Sequence, residues 1–96
     1  MKSLEEIQAT LIAHKQQLWA KYPIRSLAIF GSCARDEHTE KSDIDIIVDF
    51  NGNIGIRFID LADEIESIIG SKVVLVAKNG IKERYLSAIN PDLKYV

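Results

Sequence analysis

The segment SDIDIIVDF (residues 42–50) limits the fold more than any other stretch of the chain. Successive residues of a strand point to opposite faces, so it sets Ile44, Ile46, Val48 and Phe50 on one side and Asp43, Asp45, Ile47 and Asp49 on the other. Such a strand belongs in a sheet with its aliphatic side buried. Carboxylates inside an apolar strand are costly unless something pairs with them. Alternate residues lie roughly 6.6–7 Å apart along a strand, so Asp43 and Asp45 present two carboxylates to one region of space. Like charges held that close raise each other's pKa unless a cation lies between them. A hard divalent ion such as Mg²⁺ suits the pair, because it takes one or two carboxylates and completes its shell with water and phosphate oxygens.

The flanking segments supply the rest of the domain. Ser3 and Glu6 form a capping box ahead of Leu4, Ile7, Leu11, His14, Leu18 and Tyr22, which recur at helical spacing until Pro23 stops the run. RSLAIF (25–30) reads as a buried strand ending at Gly31, and NGN (51–53) as a turn. Residues 56–69 form an amphipathic helix with Gly70 as its C-terminal cap. KVVLVA (72–77) reads as a third strand within the core, GIKERYLSAI (80–89) as a last helix, and Pro91 closes the regular structure. The order predicts an α/β (α+β) fold: a small sheet covered by helices, in one domain over residues 1–96. Ninety-six residues support one modest core and leave no second domain to hold a large substrate.

A net charge of −2 shows no sign of the basic stripe expected of a nucleic-acid binder, so none is expected as a direct partner. One cysteine, Cys33, allows no internal disulfide and fits a reducing cytoplasm. No apolar run approaches the ~20 residues that span a bilayer, and the acids near the N-terminus do not fit a signal peptide.

Between the first two strands lies GSCARDEHTEK. A strand ending in Gly31-Ser32 and turning into a short helix leaves backbone N–H groups free for an anion. Gly31 allows close approach of the backbone, and the Ser32 hydroxyl can donate to a phosphate oxygen. Arg35, one helical turn on, reads equally as a phosphate contact or as a surface ion pair with Asp36, Glu37 or Asp43. Ser42 precedes the first aspartate and joins the nucleotide-binding candidates. One loop can hold a polyphosphate while the next strand holds the metal that neutralises it, the minimum equipment for phosphoryl or nucleotidyl transfer.

Gly31-Ser32, ten residues, then Asp43-Ile44-Asp45 resembles the G-S-x10-D-x-D signature of the DNA polymerase β-type nucleotidyltransferase superfamily. The context FGSCARDEHTEKSDIDIIVDF is similar to its smallest branch, the minimal nucleotidyltransferases (MNT domains, MntA-like). The resemblance implies a polymerase β-like fold and Mg²⁺-dependent transfer of a nucleotide from ATP or another NTP. In it Asp43 and Asp45 are metal ligands and catalytic residues, and Gly31 and Ser32 hold the triphosphate. It further implies pairing with a HEPN-domain ribonuclease, which the MNT antitoxin adenylylates on a tyrosine. Relatives carry a third carboxylate on the third strand, where this chain has Val74. The resemblance therefore implies two metals, with the second lacking an acid, and an alternative role for this chain as a subunit that neutralises its partner by contact.

Other residues have ordinary readings. Asp49 lies roughly 13 Å along the strand from Asp45, too far to share a metal. Asp36 puts extra negative charge near the phosphate seat. Cys33 has no histidine placed to activate it, His38 is expected on the solvated loop, and His14 at the core edge. Trp19, Tyr22, Tyr85 and Tyr95 read either as core packing or as a partner surface.

Overall fold

The computed structural model describes residues 2–96. Ser3 caps the first helix, α1 (Leu4–Ala13): its hydroxyl accepts from the Glu6 amide at 3.1 Å while the Glu6 carboxylate reaches back to the Ser3 amide. The predicted single N-terminal helix is broken at His14, whose φ of −105° and ψ of 5° separate α1 from α2 (Lys15–Lys21). The His14 ring lies 2.9 Å from the Thr10 carbonyl through Nδ1 and competes for the acceptor that a continuous helix would use. Ile7, Leu11 and Leu18 are still fully buried, because the break leaves them on one side.

Strand β1 (Ile24–Phe30) leads through a four-residue helix, α3 (Gly31–Ala34), and a loop into the antiparallel strand β2 (Ile44–Phe50). The register shifts between Ile24 and Ser26, so Ile24 shares the buried face with Leu27 and Ile29, which strict alternation forbids. Helix α4 (Arg57–Ile69) buries Leu61, Ile65 and Ile69 and stops at Gly70, which adopts φ 76° as its C-terminal cap. This crossover helix returns the chain to β3 (Val73–Ala77), parallel to β2.

Two predicted boundaries change in the C-terminal third. The last helix, α5, is shorter (Glu83–Ile89) and follows a separate 3-10 turn at Lys78–Gly80. Pro91 does not end the regular structure: it sits in a 3-10 turn (Asn90–Asp92) that leads into a short strand, β4 (Lys94–Tyr95). Strand β4 pairs antiparallel with β1, and the Val96 amide donates to the Leu27 carbonyl at 2.9 Å. A two-residue strand has no pattern of its own, and only the open edge of β1 makes it one. The sheet order is β3-β2-β1-β4, so the stretch between β3 and β4 crosses β2 and β1. Burial of Ala28 and Ile47, which lie outside the main core cluster, marks the face on which it crosses, away from α1, α2 and α4.

The third strand is not core throughout. Val73 is buried, but β3 is an edge strand, and Val74, on the face away from α1, α2 and α4, is 40% exposed. His38 also departs from expectation: it is buried, and its Nε2–H donates to the Lys2 carbonyl at 2.6 Å. That bond ties the loop between α3 and β2 to the N-terminal segment. Trp19 packs against the core edge under the Lys15 ammonium, and Tyr22 is buried with its hydroxyl donating to Glu64, whereas Tyr85 and Tyr95 are exposed. No helix among the described residues is long and apolar enough to cross a membrane.

Candidate active site

The end of β1 and the start of β2 meet at one corner of the sheet. Asp43 stands just before β2, and Asp45 is its second residue, across the ladder from Phe30. The next residue, Gly31, turns the chain with φ 72°, a conformation that side chains rarely adopt. There the Asp45 carboxylate lies over the Gly31 α-carbon: a Cβ built on Gly31 would fall on Asp45 Oδ2, with Cγ at 3.2 Å and Cβ at 3.4 Å. Glycine is required twice at this position, by the backbone and by the neighbour.

Asp45 is half-buried and its pKa is raised, first by burial and then by the charge of Asp43; the Arg35 guanidinium lowers it. Among the described residues neither carboxylate accepts a hydrogen bond or a contact ion pair. The charge of Asp43 acts on Asp45, and glycine at position 31 is what leaves room for the Asp45 carboxylate. The residues present therefore fit a hard divalent ion such as Mg²⁺.

The remaining candidates divide. Ser32 occupies the first turn of α3, where amides lack helical partners, and its carbonyl accepts from the Glu37 amide at 2.8 Å. Arg35 is exposed, and its guanidinium is held by Glu37 at 3.2 Å and Asp92 at 3.7 Å. Its charge nevertheless reaches Asp45. Ser42 is turned elsewhere: its hydroxyl accepts from the Thr39 amide at 3.0 Å and closes the turn leading into β2. Asp49 faces the same side of β2 as Asp45 but pairs with Arg25 at 3.7 Å. Cys33 is buried beneath the site, its thiol pushed up by burial and by Asp36 and Asp45, which suits packing and not nucleophilic attack.

Val74 is the Cα partner of Asp45 in the parallel ladder between β2 and β3, so the two side chains share a face. Asp92 was missed by sequence reasoning, since nothing local ties a residue near the C-terminus to Arg35; the β4 pairing brings it there. A cavity of about 280 Å³, lined by Lys2, Ile7, His38, Ser42 and Ile44 among others, lies behind β2 on the helix-covered side. The carboxylates stand outside that cavity, partly exposed at the end of the opposite face of the sheet.

Asp36 holds φ 59° in this loop. A left-handed non-glycine residue costs about 1–2 kcal/mol, offset in part by the larger entropy that glycine loses, about 0.5–1 kcal/mol. Asp36→Gly is expected to stabilise the fold by up to about 1 kcal/mol, raising Tm by roughly 4–8 °C at most. Thermal unfolding followed by circular dichroism checks this, and a lower Tm would show that the aspartate contributes more than its charge.

Residues 11–94 match the family model for the nucleotidyltransferase domain. The chain belongs to that family. It is 47% identical over 98 residues to a Methanocaldococcus jannaschii protein named "Putative protein adenylyltransferase MJ0128", with all of both chains covered. It is 37% identical to "Protein adenylyltransferase MntA" of Thermococcus cleftensis over 97 residues, spanning all of this chain and 98% of the other. A solved structure described as "Structure of putative minimal nucleotidyltransferase" superposes with a TM-score of 0.82 at 28% identity, covering 97% of this chain and 95% of that one. The fold is thus the mixed α+β architecture of a minimal nucleotidyltransferase, and the chain is a nucleotidyltransferase by family.

Proposed function

We propose that residues 1–96 form one nucleotidyltransferase domain that transfers a nucleoside monophosphate, AMP from ATP, to a protein acceptor in the cytoplasm. The observation that carries this is the placement of the Asp45 carboxylate against Gly31, with Asp43 acting on it and no donor to either among the described residues. In this reading Gly31 and Ser32 hold the triphosphate and Arg35 flanks it, while Ser42 joins them only by releasing the Thr39 amide. Asp43 and Asp45 are the ligands of Mg²⁺, which when bound neutralises phosphate charge and polarises the reacting phosphorus. Arg35 reaches the nucleotide only by leaving Glu37 or Asp92. The acceptor is a HEPN-type partner, to which this chain is the antitoxin. The curated relatives named as protein adenylyltransferases support a protein acceptor.

Val74 favours a second reading. The face beside Asp45 shows an exposed valine where a carboxylate would accept the acceptor's proton. A chain built this way neutralises its partner by contact while keeping the nucleotide seat.

The two readings separate on incubating the protein with the HEPN-domain product of a neighbouring gene, Mg²⁺ and α-labelled ATP. Label on the partner that is lost with Asp43→Ala/Asp45→Ala is expected for the enzyme. A stable, unlabelled complex whose ribonuclease stays inhibited with the double variant establishes the contact role and refutes transfer.

A further inference from the structure

Asp43 and Asp45 are two carboxylates without a third. Among the described residues, no group of three or more His, Cys, Asp or Glu side chains comes together to hold a metal ion. Asp49 is held by Arg25 roughly two pleats away, ~13 Å along the strand. The position that could supply another oxygen ligand is 74, directly beside Asp45 on the same face and 40% exposed. An acid there would stand in water at little cost; valine has no ligand atom to offer.

Mg²⁺ demands near-octahedral oxygen coordination and dehydrates reluctantly, so one or two carboxylates hold it well only when substrate phosphates add ligands. We infer that the site takes a single divalent cation, held jointly by Asp43, Asp45 and the phosphates of a nucleotide, and that Val74 denies a ligand to any second, nucleotide-independent ion. This rests on the nucleotide-binding reading proposed above. It makes metal and nucleotide mutually dependent: each raises the affinity for the other by the same factor. It also leaves the acceptor's oxygen without a metal of its own, so the acceptor's proton passes to a base supplied by the partner or to water.

Equilibrium dialysis against Mn²⁺, with and without α,β-methylene-ATP, reads the number of ions directly without any turnover. The wild-type chain is expected to retain little Mn²⁺ alone and about one Mn²⁺ per retained nucleotide when the analogue is present. Val74→Asp is expected to retain about one further ion per chain and to retain Mn²⁺ without the analogue. The wild-type ratio decides even where the variant fails to fold. Two ions per bound analogue in the wild type, or a nucleotide-independent ion that Asp45→Asn abolishes, overturns the single-ion site and leaves nucleotide binding standing. No retention of the analogue at all overturns both.

Discussion

Gly31→Ala is expected to destabilise the protein by about 1–5 kcal/mol and to abolish nucleotide binding. The left-handed backbone at Gly31 costs an alanine about 1–2 kcal/mol, and its methyl group would land on the Asp45 carboxylate. Overpacking of this kind adds up to a further 1–3 kcal/mol, roughly, unless the neighbour moves. If Asp45 rotates its carboxylate to make room, part of the stability returns and the arrangement of the proposed cation site is lost. Chemical denaturation together with fluorescent-nucleotide titration measures the two effects separately. Combining Gly31→Ala with Asp45→Ala should return the steric part and leave the backbone part, a coupling of about 0.5–3 kcal/mol. If Gly31→Ala binds nucleotide and unfolds at the wild-type denaturant concentration, the packing of Asp45 over Gly31 is not what the site needs.

With Asp45 in its proposed role as a metal ligand, Asp45→Asn is expected to lower nucleotidyl transfer by roughly 10²–10³-fold or more, through loss of several kcal/mol of charge stabilisation. The same substitution should make the free protein slightly more stable at neutral pH. Burial and Asp43 raise the Asp45 pKa above its unfolded value, so between those two values the folded state binds more protons than the unfolded chain. Stability from this group therefore falls as pH rises through that window and stays lowered above it. The gain in Asp45→Asn is expected at pH 7 and should disappear below the ordinary carboxylate range. Its size is under about 1 kcal/mol, because the site is open to water and screened by salt. Denaturation midpoints of both proteins at acid and neutral pH measure this difference, and equal midpoints at pH 7 would mean that Asp45 carries no unfavourable charge. The opposed signs are informative: a loss of activity with a gain of stability marks a residue that serves the ligand and strains the fold.

Much of the domain was legible where a period or a cap was written into the chain. The alternation of residues 44–50, the Ser3–Glu6 box and the Gly70 cap all act over a few residues, and each forms as the local pattern predicts. The errors arose where a distant segment decides. His38 is buried only because the carbonyl of Lys2, thirty-six residues earlier, receives its proton. Val74 is exposed because β3 falls at an edge, which an apolar run cannot announce. Strand β4 exists only as a partner for Ala28 and Ile29.

The candidate site divides the same way. Sequence alone singled out Gly31, Ser32, Asp43 and Asp45 as one candidate site, from a Gly-Ser turn after one strand and two acids on the same side of the next. Tertiary structure alone decided how they meet: the antiparallel register sets Asp45 against Gly31, the parallel register sets Val74 beside Asp45, and β4 delivers Asp92 to Arg35. Side-chain direction is a property of the local backbone, whereas register and edge position are properties of which strands find each other.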